Sequence, residues 1–151
     1  MRKLSLYLTV AVTALLVCAC AATKPPAGAH ASLTETYWKL TLLDGAEVIK
    51  GKRQVEAHFV LRIDGNRVTG SGGCNRLTGS YKLEGGSLSF AGIASTKMAC
   101  TTGMQQEQTY LNALGQAAGW RIDGQKLVLL DASGRAVANF ESVYPRKAGA
   151  P

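Results

Sequence analysis

Ala57-His58-Phe59-Val60-Leu61-Arg62-Ile63-Asp64-Gly65-Asn66 sets Ala57, Phe59, Leu61 and Ile63 against His58, Val60, Arg62 and Asp64, and closes in a turn sequence. Successive side chains of a strand point to opposite faces, so this alternation predicts a strand with one buried face. Arg67-Val68-Thr69-Gly70-Ser71-Gly72-Gly73-Cys74 leads back from the turn, and the two segments read as a hairpin. An antiparallel sheet is the framework this predicts.

The same period recurs on either side. Trp38, Leu40 and Leu42 share one side of a strand over Tyr37 to Leu43, Tyr81 and Leu83 share a face of another, and Gly85-Gly86 turns the chain into Leu88 and Phe90. Lys126 to Leu130 and Ala136 to Glu141 flank Asp131-Ala-Ser-Gly134, a further hairpin with turn-forming residues at its tip. One segment departs from this period. Met104, Tyr110, Leu111, Leu114 and Ala117 follow helical spacing, with Thr101 or Thr102 as N-cap and Gly119 as terminator. The fold class is therefore α+β: a mostly antiparallel β sheet or partial barrel, with one amphipathic helix packed on its open side.

The N-terminus carries a targeting pattern. Arg2 and Lys3 precede an apolar stretch from Leu4 to Ala19, and Val17-Cys18-Ala19-Cys20 closes it. The stretch is short for a membrane span, which needs about 20 apolar residues. It resembles the lipobox of bacterial lipoproteins, which implies removal of residues 1–19 and acylation of Cys20. Cleavage as an ordinary secretory signal is the alternative. Cys18 follows the bulky Val17, where the lipobox takes a small residue, so Cys20 is the better acceptor. Ala21 stands where lipoproteins retained at the inner membrane commonly carry Asp, so the resemblance places the mature chain on the periplasmic face of the outer membrane. Residues 20–35, with Pro25, Pro26 and Gly28, read as a lipidated tether, residues 36–144 as one domain, and residues 145–151 as a tail.

Removing the signal takes two of the 17 basic residues, so 15 basic residues stand against 10 acidic ones. That excess is dispersed. Lys50, Lys52 and Arg53 form the densest group, without the aromatic interleaving of a nucleic-acid surface, and read as a solvated turn. The membrane is the expected partner, nucleic acid is not, and the residues fix no oligomeric state.

Gly70-Ser-Gly-Gly-Cys74-Asn75, Gly79-Ser-Tyr81, Thr96-Lys-Met98-Ala-Cys100, and Met104 with Glu107 and Leu111 to Leu114 occur in an order and spacing that resemble the META domain family, the HslJ-like lipoproteins. The resemblance spans about Leu33 to Val143. It implies a small β-rich domain with one helix in bacterial envelope lipoproteins, linked in some members to heat shock and to tolerance of the antibiotic novobiocin, with no established catalytic residues. It also implies a fold similar to that of lipid-binding pilot lipoproteins of secretion systems.

With Cys20 acylated, Cys74 and Cys100 remain, and in an oxidising compartment a disulfide between them is expected, with buried free thiols as the alternative. The wide spacing is unlike a Cys-x-x-Cys redox site. No metal or other cofactor is expected, since His30 and His58 are the only histidines and no ligand spacing accompanies them. Gly70 to Gly73 lack the lysine and following helix of a phosphate loop, and predict a bulge, a sharp coil or close approach of the helix. Asn75 fits a left-handed turn, His58 a solvent-exposed face, and Glu107 the positive end of the helix dipole. No nucleophile elbow or catalytic triad emerges. Two readings follow: a non-enzymatic protein-binding lipoprotein with a filled core under the helix, or a lipid- or small-hydrophobe-binding module with an apolar cleft lined by Leu61, Phe90, Tyr110 and Leu114.

Overall fold

The computed structural model describes residues 30–51 and 54–143. The signal segment, the acylation site Cys20, residues 20–29 of the tether, Lys52, Arg53 and the tail 145–151 lie outside the described residues.

Among the described residues there are nine strands and one α-helix: β1 (Tyr37–Leu43), β2 (Ala46–Glu47), β3 (His58–Arg62), β4 (Arg67–Ser71), β5 (Arg76–Glu84), β6 (Ser87–Ser95), α1 (Met104–Gln116), β7 (Gly119–Asp123), β8 (Lys126–Leu130) and β9 (Ala136–Val143). All pairings are antiparallel. The order β2-β1-β3-β4-β5-β6-β7-β8-β9 returns on itself through a β1–β9 pairing, so the sheet forms a ring. One seam is thin, since Ser87 and Gly119 alone pair β6 with β7. Helix α1 is the connection between those two strands.

The opening alternation holds for Phe59 and Leu61, both fully buried in the ring, but not for Val60, which it set on the outer face and which is buried as well. Ile63 departs from it. The strand ends at Arg62, and Ile63 caps a 3-10 turn at Asp64–Asn66 with 65% of its surface exposed. In β1, Trp38 and Leu40 are buried, but a bulge between Leu40 and Leu42 in the β1–β9 register hands the inward position to Leu43. In β5 Tyr81 is buried while Leu83 projects outward. The core joins the strands to Tyr110, Ala113, Leu114 and Ala117 at the helix. Its centre is aromatic: Phe59 meets Phe140 edge-on at 4.9 Å between ring centroids and Phe90 at 5.7 Å, and Tyr110 lies 6.1 Å from Phe140.

Three local expectations need correction. Residues 31–35, read as tether, belong to the domain: Ala31 and Leu33 are buried, the Leu33 carbonyl accepts from Trp38 Nε1 at 2.9 Å, and the Glu35 carboxylate accepts from Ile63 N and Arg62, each at 2.8 Å. The Ile63 amide, and next to it Arg62, hold the Glu35 carboxyl below its usual range. The helix cap is Gly103, in a left-handed conformation, in place of Thr101 or Thr102. Ala117 terminates the helix and Gly119 begins β7.

The Tyr110 hydroxyl is fully buried and has no hydrogen-bond partner among the described residues, and burial pushes its pKa well above the ordinary 10. An unpaired buried polar group opposes folding. Tyr110→Phe is therefore expected to leave stability unchanged or raise it by up to about 1 kcal/mol in urea unfolding, and a loss of similar size would contradict this placement.

At the β8–β9 turn, Asp131 Oδ1 accepts from Ser133 Oγ at 2.6 Å, Ser133 N at 2.9 Å and Arg135 N at 3.0 Å. The Ser133 hydroxyl, followed by the Arg135 amide, holds its pKa down to about 2, below the ordinary 3.8. A carboxylate favoured in the folded state contributes stability above its unfolded pKa and loses it as pH falls through the folded value. The destabilisation caused by Asp131→Ala should thus be largest at neutral pH and shrink as the pH is lowered from 4 towards 2. Thermal melts of both proteins across that range check this, and a pH-independent difference would count against it.

Candidate functional site

Helix α1 places Glu107 one turn from its start, where its side chain turns inward against the loop that follows β4. Glu107 is 6% exposed and Asn75, on that loop, 2%. A buried carboxylate is costly unless its oxygens are hydrogen-bonded, and these are. Glu107 Oε2 accepts from the backbone N–H of Asn75 at 2.7 Å and of Cys74 at 3.1 Å, while Oε1 accepts from Asn75 Nδ2 at 2.7 Å.

Asn75 passes the connection on. Its Oδ1 accepts from Met98 N at 2.7 Å and Thr96 Oγ1 at 2.8 Å, and Nδ2 also donates to the Met98 carbonyl at 3.3 Å. The Asn75 carbonyl accepts from Gly72 N at 2.8 Å and from Ser71 Oγ at 3.2 Å. One amide side chain thereby joins the loop after β4, the segment after β6 and the helix. We call this arrangement the clasp.

Two glycines are required by close approaches. A Cβ at Gly70 would collide with the His58 carbonyl across the β3–β4 pairing, and one at Gly72 would overlap the Glu107 side chain. The glycine run thus serves close approach of sheet and helix, as its sequence suggested. Asn75, in contrast, has no left-handed backbone; that conformation belongs to Gly73, at φ 112. Glu107 does more than face the helix dipole. Its role is invisible in sequence because its three donors come from residues more than thirty positions away.

Cys74 and Cys100 are joined by a disulfide, with Cα atoms 6.1 Å apart. The bond lies beside the clasp, and ties the same two connecting segments covalently. His58 is half-buried: its ring stacks on Tyr37 at 4.2 Å, and Nδ1 contacts the Glu56 carbonyl at 2.9 Å. The Tyr37 hydroxyl donates to Glu56 at 3.3 Å; burial first, and the Glu56 charge second, push its pKa up to about 12. Leu61, Tyr110 and Leu114 have no exposed surface, and Phe90 is half-buried against the same core. The cleft proposed for these four residues is closed, because the aromatic centre fills the space beneath the helix.

The sequence pattern of the META domain matches residues 31–144. The chain belongs to the META domain family. An NMR structure of a protein from Burkholderia xenovorans is similar to this META domain at 32% identity and a TM-score of 0.59, covering 74% of this chain and 83% of that one. A second NMR structure shares the fold at 23% identity and a TM-score of 0.55, covering 70% of this chain and 87% of that one. No curated protein matches the sequence. The motifs by which the sequence resembles the META family contribute Gly72, Cys74, Asn75, Thr96, Met98, Cys100 and Glu107 to the clasp and its disulfide. Hydrogen bonds, the close approach at Gly72 and the disulfide give each of these positions a structural role.

Proposed function

We propose that this META domain is a non-enzymatic lipoprotein of the bacterial cell envelope, acylated on Cys20 and held at the periplasmic face of the outer membrane. There it supports the envelope under heat or antibiotic stress by binding another protein. The observation that carries the choice is the filled core: Leu61, Tyr110 and Leu114 offer a lipid or small hydrophobe no surface to touch. A binding role then falls to the exterior. The anchor rests on the resemblance of Val17-Cys18-Ala19-Cys20 to a lipobox, and a chain bearing more than one acyl group would stay stably attached.

Gentle cross-linking of cells expressing the full chain, followed by purification and mass spectrometry, tests both parts. A specific envelope protein cross-linked to the native chain and lost with Cys20→Ser is the expected result, with the mature chain starting at an acylated Cys20. Recovery of stoichiometric bound lipid without any specific protein would overturn the binding role. An unmodified N-terminus beyond Cys20 would overturn the anchor.

A further inference from the structure

The two ends of the described domain leave from one place. Ala31 N donates to the Gly124 carbonyl, Gly124 N to His30 Nδ1, and Ser142 N to the Gln125 carbonyl, so residues 30 and 143 both lie at the β7–β8 turn. Strand β1 starts there, with Tyr37 paired to Val143, and runs about 20 Å, at 3.3 Å per residue, to Leu43 at the opposite end. That opposite end holds a groove of about 480 Å³ between β2 and the start of α1. Leu43, Ala46 and Ile49 line one side, Gly103, Gln106 and Thr109 the other. Ile49 is 77% exposed.

The side of the groove formed by β2 is a strand edge. Strand β2 pairs with β1 through Leu43↔Ala46 and Leu42↔Glu47, Val48 N donates to the Thr41 carbonyl, and no described strand lies on its other side. In an antiparallel ladder the backbone groups alternate between the two edges. With Val48 turned toward β1, the N–H and C=O of Glu47 and of Ile49 point outward. The Ile49 pair is already met in the manner of a strand: Gln106 Oε1 accepts from Ile49 N at 2.9 Å, and Gln106 Nε2 donates to the Ile49 carbonyl at 3.0 Å. The position before it, Glu47, faces the groove.

We propose that this groove receives an extended segment of a partner protein, which adds as a strand to the β2 edge at Glu47 and lays apolar side chains into the groove between β2 and the start of α1. Backbone pairing supplies the recognition of an extended chain, and the apolar lining selects its side chains. The site deepens the protein-binding reading and rests on it. It also suits a tethered domain, because the groove faces away from the end at which both termini leave.

The test uses the 15N-labelled mature chain, residues 20–151, carrying Cys20→Ser so that it stays in solution. The probe is a seven-residue peptide alternating valine and threonine, acetylated and amidated, alongside versions with backbone N-methyl groups on alternate residues in each register. Saturable amide shifts confined to Ala46–Ile49 and Gly103–Thr109 are expected. One N-methylated register should bind at least tenfold more weakly, and Ile49→Asp, on an exposed side chain, should weaken the parent peptide tenfold. Leu83→Ser, on a side chain that projects outward from β5, should change nothing. Shifts elsewhere, equal binding of both N-methylated registers and the parent, or self-association of the chain with these same shifts would overturn the proposal, the last by making a second copy the occupant. A partner recovered from cells whose cross-links avoid residues 43–49 and 103–109 would also overturn it while leaving the protein-binding function intact. Recovery of no partner would remove that function itself.

Discussion

Glu107→Leu is expected to lower the unfolding free energy by about 4 kcal/mol, because it takes the carboxylate acceptor from two buried donors and one part-buried donor. Those donors are the backbone N–H groups of Cys74 and Asn75 and the side-chain amide of Asn75. Their burial makes the loss large: Asn75 is 2% exposed, so water cannot readily replace the carboxylate. Glu107→Gln should cost roughly half as much, since one amide oxygen can still serve the two backbone donors while its NH2 opposes that of Asn75. Urea unfolding of the three proteins measures this. A Glu107→Leu protein within about 1 kcal/mol of the parent would show that the clasp contributes little.

Loss of the disulfide should be of comparable size. Cys74 and Cys100 are separated by 26 residues, and closing a loop of that length stabilises the fold by about 3.5 kcal/mol in the chain-entropy model. Reduction, or the double substitution to serine, is therefore expected to lower Tm on the order of 10 °C. The folded protein should nevertheless persist, because the hydrogen bonds of Asn75 hold the same segments together. Removing both the disulfide and Glu107 should give a loss that differs from the sum of the single losses by more than about 0.5 kcal/mol, since the two constrain shared loops. Strict additivity would mean that the two act independently. Calorimetry in the presence and absence of a thiol reductant is sufficient to separate these outcomes.

The sequence reveals those parts of this fold that depend on neighbours along the chain. The alternation through Phe59 and Leu61, the hairpin tip at Asp131 to Gly134 and the helix from Met104 were legible because period and turn chemistry are local. Strand β7 was not, since Trp120 and Ile122 alternate over too few residues to stand apart from the end of the helix. The β1 face changed at a bulge that depends on its pairing with β9, and Ala31 and Leu33 looked like tether until the ring supplied a surface to bury them. The candidate site divides in the same way. Cysteine count and spacing pointed to Cys74 and Cys100, whereas Glu107 and Asn75 acquire their roles only when the helix meets the loop after β4. The supposed cleft failed for a related reason: four apolar residues can be assigned to one interior from sequence, but whether they fill it depends on Phe59 and Phe140 from distant strands.

The clasp is the element that fixes α1, and with it one side of the groove, against the sheet. Native-state hydrogen exchange at the amides of Cys74 and Asn75 tests it most directly, because both donate to the Glu107 carboxylate. If the clasp holds as described, the Asn75 amide exchanges only through near-global unfolding in the parent protein and through a much cheaper local opening in Glu107→Gln. Exchange of Asn75 in the parent at the rate of an exposed loop amide would contradict it.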